Sequence, residues 1–371
     1  MVKIIIGYKL YYNFGKRQEK VNAIKKKIIT AVSLSLFLSF TGCTIMAVGV
    51  YKNSFDRVEQ ADDNEFSLSF NWRDIDHSKY HREEIFFSSG KNRLQGFIYG
   101  GSNENGLIVI SGGLGATADD YLPMIMFFVD NGWRVFAFNN TGVAGSEGNS
   151  TRGLTQSVID LNSALNFINN SAEFHGLPVM LVGHSWGGYA VCAVLNYDHR
   201  INAVASFAGY NNGRNVYDDF GYKAVGLRYY MLFPHFRVIQ RFYFGRAVAF
   251  TAVDGINRSN IPVMIIHASN DDQMPATTTS IYAHRDRIYN PYAEIIYLDG
   301  DDATGHIYVF YSKNQREYMD WLAESWETYQ IEHENASRFK WADEINFDRV
   351  LANELNIELM NRINNLFISS K

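Results

Sequence analysis

Ser185 stands between two glycines in the pentapeptide GHSWG, residues 183–187. The apolar run before it, LPVMLV, predicts a buried strand, and the residues after it, WGGYAVCAVLNY, predict a helix. A serine on such a turn projects into the cleft at the carboxyl edge of a parallel sheet, and its neighbours must be small. Gly183 and Gly187 meet that need. The pattern predicts a nucleophilic serine, and the alternative is a strand-to-helix turn with a passive serine.

A serine hydroxyl needs a general base, and that base needs a carboxylate to orient it. Both are therefore expected downstream, each at the end of a later strand. The segment IPVMIIHASNDDQMP predicts a strand followed by Asp271 and Asp272, and DGDDATGHIYVF supplies His306 after the next strand. The sequence predicts a catalytic triad of Ser185, Asp271 and His306, with Asp272 as the alternative acid.

Strands and helices must alternate to bring these residues to one edge. The runs EEIFFSS, NRLQGFIYG and GLIVIS predict strands, and from Ser111 onward helical and strand patterns alternate. This order predicts an α/β fold over residues 83–330, a mostly parallel sheet with helices on both faces. Residues 211–259 form an aromatic, helical insertion that predicts a cap over a pocket, or alternatively a crossover with extra helices. A polar connector is predicted at 52–82, and a helical C-terminal extension at 331–371.

The segments around the predicted triad resemble the α/β-hydrolase superfamily from about residue 83 to 330, most closely its bacterial membrane-anchored or secreted esterase-like members. In that family the acid stands in a pattern like G-x-x-D-x-x-V-P. The stretch ASNDDQMP matches it with Asp271 as the acid, although Ala268 replaces the glycine and Met274 the valine. The resemblance implies an α/β-hydrolase fold with a cap insertion and a serine hydrolase activity.

The resemblance also implies an oxyanion hole made of two backbone amides. One is the amide after the nucleophile, which belongs to Trp186. The other comes from the loop SGGLGA, where the family often has H-G-x-G, and is assigned to Leu114. Gly112 stands where the family usually has histidine. The alternative for this loop is a plain tight turn.

The N-terminal segment predicts a membrane anchor. Residues 1–27 carry eight Lys or Arg and one acid, and the 24 residues 28–51 that follow are uncharged and mostly apolar. A helix of that length spans about 30 Å of hydrocarbon, and the basic flank places the N-terminus in the cytoplasm and the body outside. One alternative is a cleaved lipoprotein signal that leaves Cys43 as the lipid-modified first residue, and another is a buried core helix.

Composition narrows the function classes. Residues 28–371 carry 26 basic and 38 acidic side chains, which argues against nucleic acid as a partner. Cys43 and Cys192 predict neither a disulfide framework nor a zinc site. We therefore expect a serine hydrolase that cleaves a carboxylic ester of a small-molecule acyl substrate without metal or cofactor. The alternatives are an aminopeptidase-like amide or peptide hydrolase, and a non-catalytic, membrane-tethered binding protein.

Overall fold

Eight strands form one sheet in the computed structural model, which describes residues 2–59 and 66–371. In chain order the strands are Arg82–Ser89 (β1), Asn92–Tyr99 (β2), Leu107–Ser111 (β3), Arg134–Phe138 (β4), Val179–His184 (β5), Ala203–Phe207 (β6), Val263–Ala268 (β7) and Ala293–Leu298 (β8). They lie side by side in the order β1-β2-β4-β3-β5-β6-β7-β8. β2 is antiparallel to both of its neighbours, and the six strands from β3 to β8 are parallel. The predicted mostly parallel sheet is confirmed.

α-Helices stand before, between and after the strands, and some of them cover the two faces of the sheet. They are Val2–Asn53 (α1), Leu122–Asp130 (α2), Gln156–Asn170 (α3), Trp186–Ala193 (α4), Gly213–Val225 (α5), Tyr229–Phe244 (α6), Ala252–Arg258 (α7), Lys313–Glu332 (α8), Arg338–Glu344 (α9) and Ile357–Ser369 (α10). α3, α4 and α7 pack on one face, and α2 and α10 on the other. β3 is buried along its whole length and apolar up to Ser111 because helices cover both of its faces: Val109 faces the first helix layer, and Ile108 and Ile110 face the second.

The region predicted as a cap contains two different parts. α5 and α6 contribute side chains to a cavity beside Ser185. α7, by contrast, packs tightly against α4, and a Cβ atom on Gly255 would come within 2.1 Å of the Cys192 carbonyl oxygen. Within 211–259, α7 is thus a sheet-covering helix, and the segment that lies over the cavity ends before it.

A separate hydrophobic cluster joins the connector before β1 to the helices after β8. Leu322 and Tyr329 of α8 pack with Trp341 of α9, and the connector adds Phe66 and Leu68. Residues that precede the first strand are therefore held against residues that follow the last one.

α1 runs without interruption over 52 residues. Its part from Lys20 to Asn53 is the one described helix that is long and apolar enough to cross a membrane, by length and composition, and its most apolar stretch is not buried by the protein. The last turns of α1 contact α6 of the cap region. The N-terminal helix is thus both a candidate membrane span and part of the packing around the cap.

Candidate active site

Ser185 occupies a sharp turn between β5 and α4. Its backbone has a φ of 55° and a ψ of −110°, a strained conformation for a non-glycine residue. Close packing on both sides explains the flanking glycines. A Cβ on Gly183 would approach the Gly187 carbonyl oxygen to 2.2 Å, and one on Gly187 would approach the Ser111 carbonyl oxygen to 1.8 Å. The sheet and α4 can come this close only because both positions lack side chains.

The structure brings the three predicted triad residues together. The Ser185 Oγ lies 2.7 Å from Nε2 of His306, and Nδ1 of His306 lies 2.8 Å from Oδ2 of Asp271. Asp271 is buried after β7, and its other oxygen accepts backbone N–H bonds from Gln273 at 3.0 Å and Met274 at 2.7 Å. Asp272, the alternative acid, is exposed to solvent. The geometry therefore favours Asp271.

The loops that carry Asp271 and His306 are tied to each other. Asn270 donates from its side chain to the Ala303 carbonyl at 3.0 Å and accepts from the Gly305 N–H at 2.8 Å. These two bonds fix the backbone on either side of the carboxylate–imidazole contact. Sequence reasoning missed Asn270, although its place next to the predicted acid is a signal that could have drawn attention to it.

A second chain of hydrogen bonds supports the glycine-rich loop. The Gly113 N–H donates to the Tyr121 hydroxyl at 2.7 Å, and that hydroxyl lies 3.0 Å from Nδ1 of His184. The Nε2–H of His184 donates to the His306 carbonyl at 3.0 Å. Burial lowers the pKa of His184 to about 4, so the ring is neutral at pH 7 and matches these donor and acceptor roles. Sequence reasoning missed Tyr121, which braces the loop where the expected histidine is replaced by Gly112.

The two residues predicted as oxyanion donors are close to the nucleophile: Trp186 follows Ser185 directly, and Leu114 lines the same cavities. Trp186 is the first residue of α4, where a backbone N–H has no partner within the helix, and its ring is turned into the core to donate to the Leu154 carbonyl at 2.8 Å. On the glycine-rich loop, the Gly113 N–H is already donated to Tyr121. The amide of Leu114 is the next donor along that loop. Leu114 itself lines the space around Ser185.

Two cavities meet at the nucleophile, and Leu114, Ser185 and Gln273 line both of them. One has a volume of about 410 Å³ and is walled by aromatic side chains of α1, the turn after it and the cap region: Tyr51, Phe55, Tyr217, Tyr229 and Phe236. The other has a volume of about 620 Å³ and lies between the connector and the C-terminal region: Leu68, Ser69, Tyr308, Met319 and Asn353. Sequence reasoning predicted a cap over one side of the site, but it missed the second cavity and Gln273 at the junction.

In the part of the chain that the structure describes, no group of three or more His, Cys, Asp or Glu side chains is arranged to hold a metal ion. The chemistry available at this site is that of an oriented imidazole beside a serine hydroxyl. Such a pair can attack an acyl carbonyl and return the proton to a leaving group.

Part of the chain matches a known protein family. Residues 102–241 match the model of a hydrolase family described as serine aminopeptidase, S33. No curated protein matches the chain. An esterase from Pyrococcus furiosus is 13% identical with a TM-score of 0.49, covering 73% of this chain and 96% of its own. Acetyl xylan esterase 1 from Thermoanaerobacterium is 16% identical with a TM-score of 0.47, covering 72% of this chain and 88% of its own.

The strand order and the match of residues 102–241 to a hydrolase family support the predicted resemblance of the chain to the α/β-hydrolase superfamily. It is an enzyme, a serine hydrolase of the α/β fold, and the alternative of a non-catalytic binding protein is set aside.

Proposed function

We propose that the chain hydrolyses carboxylic esters through an acyl-enzyme formed on Ser185. One observation carries the proposal: an unbroken line of contacts from the serine hydroxyl through both ring nitrogens of His306 to the buried carboxylate of Asp271, at 2.7 Å and 2.8 Å. This is the arrangement that a serine needs to act as a nucleophile near neutral pH.

Each residue then has one role. Nε2 of His306 takes the Ser185 proton as Oγ attacks the acyl carbonyl, and it later gives that proton to the leaving alkoxide. Asp271 accepts the Nδ1–H and so keeps the unprotonated nitrogen toward the serine. The amides of Trp186 and Leu114 donate to the oxyanion. Water, deprotonated by His306, then attacks the acyl-enzyme and releases the acid, which restores the free serine.

The two cavities support an ester with one apolar side. The cavity of about 410 Å³ is lined mainly by aromatic and aliphatic side chains, which suits an acyl chain. The other cavity also holds polar groups such as Asp120 and Gln315, which suits a more hydrophilic alcohol. We assign the acyl group to the first and the leaving group to the second.

An activity-based probe tests this assignment. A fluorophosphonate reacts only with an activated serine, so it should label the wild-type chain and fail to label Ser185→Ala. Ser102→Ala, which alters an exposed serine before β3, is the matched control and should be labelled like the wild type. Equal labelling of the wild type and Ser185→Ala would refute the proposal.

Amide hydrolysis is the second candidate, and the match of residues 102–241 to a family described as serine aminopeptidase favours it. The triad serves both reactions, so the leaving group decides between them. Turnover of p-nitrophenyl butyrate should exceed that of an amino-acyl p-nitroanilide if the chain is an esterase. The reverse order would assign it as an aminopeptidase.

We further propose that α1 is a retained membrane anchor with the hydrolase domain outside the cytoplasm, since Lys25, Lys26 and Lys27 flank the apolar run on its N-terminal side. The alternative is cleavage and lipidation at Cys43. Retention is favoured because Phe40, which cleavage would remove, packs on His235 with ring centroids 4.6 Å apart. The intact mass of membrane-extracted protein distinguishes a full-length chain from a lipidated one that begins at Cys43.

A further inference from the structure

The outward face of α6 is apolar. Met231, Pro234, Val238 and Phe242 recur at helical spacing and are all exposed, with Val238 69% and Phe242 84% accessible to solvent. The opposite face is buried, as a surface helix requires. Apolar residues that recur on the exposed side of a helix mark an interaction surface.

This face lies beside the candidate membrane span. The Thr44 hydroxyl is hydrogen-bonded to Nδ1 of His235 at 3.0 Å, and the rings of Tyr51 and Tyr243 lie 5.8 Å apart. α6 therefore runs alongside the last turns of α1, in the same direction.

The length of α1 sets the depth of these contacts in the membrane. If the apolar run enters the hydrocarbon at Ile28, about 20 residues of helix cross about 30 Å and leave it near Ala47. Thr44 then lies just inside the boundary and Tyr51 just outside it. Because His235 is level with Thr44 and Tyr243 with Tyr51, α6 crosses the outer boundary, with its first turns on the hydrocarbon side and its last turn at the headgroups.

The charge of the cap region differs from that of the body. Residues 213–249 carry six basic and two acidic side chains, whereas residues 28–371 as a whole are acidic. Lys223, Arg241 and Arg246 of this region are exposed. Arg241 and Arg246 lie toward the end of α6 that is level with Tyr51, and basic side chains at that depth suit the headgroups of anionic lipids.

The acyl cavity is built from the same elements. Val50 of α1 and Ser54, the residue after α1, line it together with Phe220 of α5 and Phe236 of α6. Val50 and Phe220 are also partly exposed, so the rim of the cavity is apolar where α1 leaves the predicted hydrocarbon layer. An acyl chain that enters there reaches Ser185 along a cavity lined mainly by aromatic and aliphatic side chains.

We propose that the exposed face of α6 rests in the outer leaflet of the membrane crossed by α1, and that the cavity takes the acyl chain of a lipid ester from that leaflet. This inference rests on the proposed ester hydrolysis at Ser185 and names its substrate class. The occupant of the apolar face is the lipid surface, because α6 continues the surface of a helix that is itself apolar enough to span it.

The first experiment measures the depth of α6 in the membrane. A fluorophore is attached at Phe242→Cys in a Cys43→Ala background, and the protein is reconstituted in phosphatidylcholine–phosphatidylglycerol vesicles. Cys192 stays unlabelled because it is buried and its pKa is raised to about 12. Lipids that carry a nitroxide near the headgroup should quench the label at 242. They should not quench one at Ile331→Cys on α8, a site that is 86% exposed. Equal quenching, or none at 242, would overturn the proposal.

Substrate use is measured second, with Val238→Glu/Phe242→Glu and the matched control Ile331→Glu/Val350→Glu. In vesicles that contain dioleoylglycerol, the cap variant should lose about tenfold or more of its turnover, because burying one large apolar side chain is worth at least that factor. Its turnover of soluble p-nitrophenyl butyrate should stay within about twofold of wild type, as for most surface substitutions. The control should retain both activities.

Two failures are distinguishable. If the wild type hydrolyses the soluble ester and the cap variant still hydrolyses dioleoylglycerol at the wild-type rate, the membrane-facing role of α6 is wrong and the proposed function stands. If the wild type hydrolyses neither ester and the fluorophosphonate leaves Ser185 unlabelled, the proposed function itself is wrong.

Discussion

Replacing Asp271 by asparagine keeps the shape of the acid and removes its charge. Oδ1 of Asp271 accepts two backbone N–H bonds, from Gln273 and Met274, and only an oxygen can take that place. The asparagine carbonyl will therefore face these amides, and its NH₂ group will face Nδ1 of His306. An NH₂ group donates, so Nδ1 must lose its hydrogen, and the proton moves to Nε2. His306 then presents an N–H to Ser185 and cannot accept the serine proton.

The expected loss follows from this reversed tautomer. Asparagine in place of a triad aspartate lowers kcat by about three to four orders of magnitude, or about 4–5.5 kcal/mol of transition-state stabilisation. We would measure kcat and KM for p-nitrophenyl butyrate at pH 7.5, with a thermal melt to confirm folding. KM should change little, because Asp271 is buried behind His306 and lines neither cavity.

Asp272→Asn is the matched control, since Asp272 is the exposed neighbour. It should retain kcat within about twofold, as surface substitutions usually do. The reasoning is refuted if folded Asp271→Asn keeps more than about a tenth of the wild-type kcat, or if Asp272→Asn carries the large loss instead.

Two further predictions concern the hydrogen bonds behind the site. Tyr121→Phe leaves the Gly113 N–H and Nδ1 of His184 without this buried partner. The free energy of unfolding should therefore fall by about 1–3 kcal/mol, and kcat should change more than KM. An unchanged urea midpoint together with an unchanged kcat would contradict this prediction. His184 has a pKa of about 4 in the native state and about 6.5 in the unfolded chain. Between these pH values the unfolded chain binds a proton at this histidine and the native state does not. Stability should therefore fall by about 3 kcal/mol as the pH drops from about 6.5 to 4, and urea midpoints of His184→Gln should show a smaller pH dependence than those of wild type.

Much of the fold could be predicted from local patterns, because the parallel strands are buried on both faces. β3 and β5 are short, buried and mostly apolar runs for that reason, and each precedes a turn rich in glycine. The turn at Ser185 has a local signature as well, since close contact with the ends of β3 and α4 excludes side chains at 183 and 187. Acid and base could be sought at the ends of later strands because parallel strands end at one edge.

The rest of the site depends on contacts that leave no periodic signal. Tyr121 stands eight residues after Gly113, and nothing in the sequence pairs its hydroxyl with that amide. The wall of the larger cavity joins residues far apart in the chain, as when the Asn353 side chain donates to the Leu68 carbonyl at 2.9 Å. The packing of α6 along α1 is of the same kind. The sequence of each helix predicts an apolar or aromatic helix, and only the folded structure shows that the two pack together.

The connector and the C-terminal region contact each other beside Ser185, and this contact has a consequence for biosynthesis. Arg349 donates to the Ser69 carbonyl at 3.0 Å, and Asn353 lines the larger cavity. Translation delivers the anchor and the sheet first and this wall last. If α1 is the proposed anchor and this cavity takes the leaving group, a chain still attached to the ribosome has an unfinished leaving-group side, and we expect hydrolysis to begin only after synthesis ends.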